Sequence, residues 1–476
     1  VNWLLISLKK MFTEQPALPS LLPAEEKKHG LLGIRHRGGR LEREDNKLKL
    51  GDRAAHQWYR FVLSFPPHLV REYISKFKLN SHHRVLDPFC GTGTTPVECQ
   101  KLGIPSFGLE ANPVACFASQ TKLQWKVSPQ KLLRHAQMVA DAANRRVEQD
   151  GFFDDDGSRL FDRPLGTNFQ LRSLPEEVSD LLLANSISPI PLHKTLVLLE
   201  ALAEHRDDHF SKHEQLALAT ALVNGISNLH FGPEVGVGPP KTDAPVVSLW
   251  LDGIRAMAQD LEILGKMKTP QAIVCQADAR DGAPMLPPNS VDAVITSPPY
   301  PNEKDYTRTT RLESVLLGFI QSKAALRDLK KQLVRSNTRG VYKADTDDVL
   351  MAGHPQIEAI AAAIEKRRIE LNKDSGFERL YARVTKLYFG GMARHLAGLR
   401  RVLRPGAQLA YVVGDQASYL RVMIRTGQLL AGIAESLGYE VVGLDLFRTR
   451  LSTATKEQLR EEVVVLRWNG NRRGKK

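Results

Sequence analysis

The stretch Arg84–Glu110, RVLDPFCGTGTTPVECQKLGIPSFGLE, constrains this chain more than any other. Val85 and Leu86 close a short apolar strand, and Asp87 stands at its carboxyl end. Phe89-Cys90-Gly91-Thr92-Gly93 is a tight turn whose glycines let a ligand come close to the backbone. Thr95-Pro96-Val97-Glu98 predicts a helix start, with Thr95 as N-cap, Pro96 at the first helical position and Glu98 closing a capping box. Gly103 ends that helix, and a strand over Ser106–Leu109 delivers Glu110. Strand, glycine turn, helix, strand and acid is the layout of a nucleotide-type site, in which the terminal carboxylate takes ribose hydroxyls. The dinucleotide fingerprint has a third glycine where this chain has Pro96, which argues against a nicotinamide or flavin cofactor.

A second constraint lies far downstream, at Val291–Tyr300, VDAVITSPPY. Val291–Ile295 reads as a buried strand. Ser297-Pro298-Pro299-Tyr300 cannot continue it, because consecutive prolines remove ladder donors. A stiff tetrapeptide ending in an aromatic therefore sits at the carboxyl end of a strand, where open α/β sheets bind ligands. The run Asp87-Pro88-Phe89-Cys90-Gly91-Thr92-Gly93-Thr94-Thr95 resembles the cofactor loop of S-adenosylmethionine-dependent DNA amino-methyltransferases, and Ser297–Tyr300 resembles their catalytic motif. The two together, in this strand context, carry the resemblance.

The resemblance implies roles by position. Asp87, Phe89, Gly91, Gly93, Thr94, Thr95 and Glu110 match the cofactor-binding stretch. Phe65 and Pro66 precede a Pro-initiated helix over His68–Phe77, which in such enzymes helps cover the methionine end of S-adenosylmethionine. Asp278, followed by Ala279, ends the strand before the catalytic one and matches the acid that accepts from the adenine amino group; Asp281 competes for that role. Ser297 and the Pro298 carbonyl would accept the two N–H bonds of an exocyclic base amine, with Pro299 stiffening the turn and Tyr300 stacking on the base. The base must be flipped out of double-stranded DNA for direct in-line transfer. Ser before Pro-Pro-Tyr favours cytosine N4, with adenine N6 as the alternative. An RNA guanine-N2 enzyme and a non-catalytic nucleic-acid-binding protein of the same fold are more distant ones. Carbon-5 chemistry would need a Pro-Cys motif, which the chain lacks.

The remaining elements read as an α/β chain: a seven-stranded, mostly parallel Rossmann-like methyltransferase sheet with two largely helical insertions. Its parts are a basic extension (1–56), a cofactor half (57–124), a helical insertion (125–268) and the first catalytic part (269–304). A helical basic insertion (305–375), the catalytic remainder (376–468) and a basic tail (469–476) follow. Strands are expected at 271–275, 407–413, 440–447 and 462–468, the last two as a hairpin. Helices are expected at 113–121, 129–149, 192–205, 211–229, 247–264, 379–403 and 422–437. Phe231–Pro245 reads as a stiff Gly/Pro loop, and Phe152–Asp162 as an acidic irregular patch. Either insertion is a candidate for target recognition, the second through Lys330, Lys331, Arg335 and Arg339.

Charge and cysteines narrow the setting. A net charge of +13 and a pI of about 9.5 suit a polyanionic partner, and Arg35–Arg40 is a candidate phosphate-facing segment. Cys90, Cys99, Cys116 and Cys275 have no metal-type spacing and read as reduced thiols of a cytoplasmic protein. No metal is expected. His205, His209 and His213 recur every four residues, but Arg206-Asp207-Asp208 breaks the helix between them. No apolar run reaches membrane-spanning length, and Trp3–Leu8 lacks the basic flank of a secretory signal. Met11 is an alternative start. A companion restriction endonuclease is a further expected partner.

Overall fold

The computed structural model describes residues 48–60, 64–154, 170–231, 234–451 and 458–470, together with a short strand, β1 (Ile34–His36). Most of the Arg35–Arg40 segment, the acidic patch beyond Asp154, Trp3–Leu8 and the tail Asn471–Lys476 lie outside the described residues.

Seven strands from Val85 onward lie side by side in one sheet. They are β2 (Val85–Asp87), β3 (Ser106–Glu110), β6 (Ala272–Gln276), β7 (Val291–Thr296), β8 (Leu403–Gly414), β9 (Glu440–Leu451) and β10 (Gln458–Trp468). A separate two-stranded ribbon pairs β4 (Leu229–Phe231) with β5 (Val235–Val237). The order across the sheet is β1-β9-β10-β8-β7-β2-β3-β6, the short β1 adding an eighth strand beside β9. β6, β3, β2, β7 and β8 pair in parallel, whereas β10 runs antiparallel to both β8 and β9. This is the expected arrangement, a mostly parallel sheet with its antiparallel strand near an edge.

Alternation along the central strands feeds two cores. Val85, Ala293 and Ile295 face one way and pack with Leu69, Val70, Tyr73 and Ile74 of the helix Pro67–Lys76. Leu86 and Val294 face the other way, onto Tyr388, Met392 and Leu396 of the helix Tyr381–Leu399. Because both faces are covered, the central strands are apolar almost without interruption, as parallel strands must be.

The first insertion shares its apolar centre with neighbouring parts of the chain, among them Trp58, Val114, Phe117 and Leu312. Helices Pro129–Gln149, Pro189–Glu204, Ser211–Ala221 and Val246–Leu264 enclose Leu132, Ala136, Leu198, Leu216 and Trp250. Lys126 at its entrance donates to the carbonyls of Gly265 and Met267 at its exit, at 2.8 and 2.9 Å.

Three local expectations are corrected. The helix after the glycine turn is Thr94–Lys101, with Gly93 in the left-handed region as its N-cap. Thr95 therefore lies inside the helix, where its hydroxyl donates to the Ile295 carbonyl at 3.1 Å. Pro96 still falls in the first turn, where a missing N–H is tolerated. Glu98 closes no capping box; it pairs with His56 and Arg71. The Phe231–Pro245 loop contains strand β5, so part of it is ribbon. The expected helix over 211–229 ends at Ala221, and a π-helical turn, Leu222–Ile226, leads into β4.

Candidate active site

At the carboxyl ends of β2, β3, β6 and β7 the sheet opens into a cavity of ≈ 290 Å³. Its lining includes Phe65, Phe89, Gly91, Thr94, Glu110, Asp278, Ala279 and all of Ser297, Pro298, Pro299 and Tyr300. Two sequence motifs some 200 residues apart (roughly, by chain position) thus share one wall, because β2 and β7 are sheet neighbours. Pro66, Asp87, Gly93 and Thr95 stand behind this lining. Pro66 is the N-cap of the helix Pro67–Lys76. The buried Asp87 accepts from Thr296 Oγ1 at 2.6 Å and from the Phe89 amide at 3.2 Å, tying the turn to β7.

The glycine turn has the shape a ligand needs. Gly91 has φ +50°, and a Cβ there would meet nothing within 4 Å, so its backbone borders open space. Gly93 is different: at φ +88° its Cβ would come 2.5 Å from Ser119 Oγ. Close packing against the helix Pro113–Lys122 holds the turn from below. From the same helix the fully buried Lys122 donates to the Thr92 carbonyl at 2.9 Å. Burial lowers the Lys122 ammonium to about 7.

Glu110 ends β3 with its carboxylate fixed by two backbone amides, Gly91 and Asn112, both at 2.8 Å. Burial pushes its carboxyl up to about 7, against the pull of those two N–H groups. A carboxylate has more lone-pair positions than these two amides use, so hydroxyl donors fit. Asp278 lines the cavity, whereas Asp281 is half-exposed and pairs with Arg394. The Asp278 carboxylate is gripped by Arg280, which also donates to Asp347 at 2.8 Å and to the Lys331 carbonyl at 2.6 Å.

Ser297 donates its hydroxyl proton to the Val412 carbonyl on β8 at 3.1 Å. Its lone pairs are thereby left as acceptors, with the Tyr300 hydroxyl in hydrogen-bond contact with the same side chain. The Tyr300 ring lies against Gly414, where a Cβ would come 3.0 Å from the ring. Burial raises the Tyr300 hydroxyl well above its ordinary value, so the phenol stays protonated.

The motifs did not reveal several contributors. Lys304, Asp305, Tyr306, residues 332–337, Arg448 and Arg450 also line the cavity. The second insertion therefore supplies part of the wall. Its basic cluster does not form one exposed patch: Arg335 is buried, bound to Asp345 and to the Lys330 and Leu333 carbonyls, and Lys330 pairs with Asp305. His395 sits beneath the cavity, bonded to the Ala279 carbonyl at 2.8 Å and the Tyr411 hydroxyl at 2.7 Å, with its ring edge against Phe89. A lone histidine inside an apolar helix gave no signal of this. Of the three spaced histidines, His205 caps a helix, exposed His209 pairs with Asp207, and buried His213 contacts the Gln124 carbonyl. Among the described residues no cluster of three or more metal-type side chains occurs, and no helix is long and apolar enough to cross a membrane.

Comparison with known proteins agrees with this geometry. An N6/N4 methyltransferase family model, described as DNA methylase, matches residues 39–121. The type II methyltransferase M.BsoBI of Geobacillus stearothermophilus is 24% identical over 87% of this chain and 84% of its own. The type II methyltransferase M.AvaI of Anabaena variabilis is 23% identical over 87% and 86%. The type II methyltransferase M.MjaII of Methanocaldococcus jannaschii reaches 39% identity over 18% of this chain and 15% of its own. With the glycine turn, Glu110 and Ser297–Tyr300 gathered around one cavity, the chain is similar to the N4/N6 DNA methylases over residues 39–121 and to type II methyltransferases over most of its length.

Proposed function

We propose that this protein transfers a methyl group from S-adenosylmethionine to the exocyclic N4 of cytosine in double-stranded DNA, at a defined sequence and alongside a companion restriction endonuclease. The observation that carries the reading is the single cavity that joins Glu110 and the glycine turn to Ser297–Tyr300. S-adenosylmethionine, when bound, supplies an electrophilic methyl group on a sulfonium sulfur. Phe65, Phe89, Gly91, Thr94, Glu110, Asp278 and Ala279 would hold it, with Asp87, Gly93, Thr95 and Pro66 supporting them from behind. Glu110 takes the ribose hydroxyls; Asp278, rather than Asp281, takes the adenine amino group.

The other half of the cavity works on the base. An exocyclic amine is a weak nucleophile because its lone pair is delocalised into the ring. Two acceptors on its N–H bonds localise that pair. Ser297 is prepared for this, since its own proton is engaged by Val412, and the Pro298 carbonyl is the second acceptor. Tyr300, backed by Gly414, stacks on the flipped base. The hydroxyl in place of a carboxylate at position 297 favours cytosine. Mass spectrometry of nucleosides from methylated DNA tests the whole reading. N4-methylcytosine supports it, N6-methyladenine replaces the target, and 5-methylcytosine overturns the mechanism.

A further inference from the structure

The ribbon β4–β5 belongs to no part of the chemistry described above. Its register sets Leu229 opposite Val237, His230 opposite Gly236 and Phe231 opposite Val235. Strand alternation therefore places Leu229, Phe231, Val235 and Val237 on one face and His230 and Gly236 on the other. The first face is apolar, and Val235 on it is buried. On the second, the exposed His230 ring lies across Gly236, where a Cβ would come 2.5 Å from its Cε1. This outer face presents one flat polar ring on bare backbone, a surface that another macromolecule can approach closely.

The ribbon is held firmly at its base. Buried Asn228 donates to the Asn185 carbonyl at 2.9 Å and to Ser188 Oγ at 3.0 Å, and accepts from the Lys241 amide at 2.9 Å. Its backbone bonds Ser186 on one side and Gly238 on the other, at 2.8 and 2.7 Å. The ribbon also stands beside the cavity. Leu222 and Ile226, just before β4, share a core with Leu312 and Leu316 of the helix Arg311–Leu316 that follows the catalytic tetrapeptide. Exposed Glu234 lies within electrostatic reach of Glu303 and of Lys304, a lining residue.

We infer that the β4–β5 ribbon reads DNA sequence next to the target base, presenting its His230–Gly236 face to the major groove. The inference rests on the proposed reaction: a duplex that delivers a base to Ser297 must pass over the cavity mouth, which the ribbon flanks. At that mouth Arg448 is paired with Glu461, and Lys304 and Arg450 supply the positive charge that favours a phosphate backbone. A two-stranded ribbon is one of the shapes the major groove admits.

Wild type, His230→Ala and Gly236→Val are compared by sequencing that maps methylated bases on plasmid DNA, with melting temperature and S-adenosylmethionine affinity as controls. Wild type that methylates no DNA overturns the functional reading and this inference with it. With wild type active, both variants should keep their melting temperature and cofactor affinity. His230 is exposed, and a valine at 236 meets only the far end of that exposed ring, which can turn into solvent. Both should lose about tenfold or more of the discrimination between the site and its single-base-pair variants. Unchanged discrimination in both variants overturns the inference, and so does an equal loss on all sequences, which marks backbone contact alone. If one variant fails to fold, the other decides.

Discussion

Replacing Glu110 by Gln tests the cofactor half of the site with a magnitude the structure supplies. Both carboxylate oxygens accept backbone N–H groups, Gly91 on one and Asn112 on the other, at 2.8 Å. A carboxamide turns one of those acceptors into a donor facing an N–H, and it removes the charge that strengthens bonds from the ribose hydroxyls. Losing a hydrogen bond to a charged group costs about 1.5–3 kcal/mol, or about 10- to 150-fold in Kd. The pH dependence gives a second, independent signature. Burial places the free Glu110 carboxyl at about 7, and hydroxyl donors favour its ionised form. Affinity should therefore be full above that value and fall as pH drops through it. From pH 8 to pH 6 the ionised fraction changes from about 0.9 to about 0.1, so Kd should rise about tenfold. Isothermal titration calorimetry of wild type and Glu110→Gln across this range separates the effect from titration of the ligand, which is common to both. A Gln variant within about twofold of wild type at pH 8, or the same pH slope in both proteins, would refute the assignment.

Four further outcomes are expected. Ser297→Ala should lower kcat more than KM, and Tyr300→Ala should cut turnover by the equivalent of about 1–3 kcal/mol of stacking while leaving calorimetric cofactor affinity nearly intact. Gly93→Ala should lower the melting temperature, because φ +88° and a Cβ 2.5 Å from Ser119 Oγ together cost about 1–3 kcal/mol. Lys331→Glu, at an exposed lysine paired within its own helix to Asp328, should reduce the slope of log affinity for DNA against log salt by about one. An unchanged slope shifts phosphate contact to residues 125–268.

The sheet was legible because its strands are buried on both faces, and an apolar run ending in a glycine or proline turn leaves few alternatives. The same locality explains Glu110: it needs only the strand before it. The helix start was misread by two residues because Thr95 and Pro96 form an acceptable cap by themselves, and only tertiary contact with the Ile295 carbonyl fixes the Thr95 hydroxyl elsewhere. Glu98 has the same history, since its partners His56 and Arg71 come from outside the helix. Arg335 looked like part of a basic surface, yet its guanidinium gathers carbonyls and Asp345 inside the wall. Charge along a sequence does not tell which cations the fold uses internally. The β4–β5 ribbon was hidden by its glycines and prolines, which mark turns as readily as strands.

The bonds from Lys126 to Gly265 and Met267 bear on how the molecule assembles. The cavity wall exists only once β2 and β7 have paired, and closing a loop of about 200 residues costs roughly 1 kcal/mol more than closing one of about 60. An excursion whose entrance and exit are fastened together shortens that search to the roughly 60 residues outside the clasp. Folding should then fasten the clasp before the β2–β7 pair closes, so that the cavity at the strand ends is among the last parts of the chain to form.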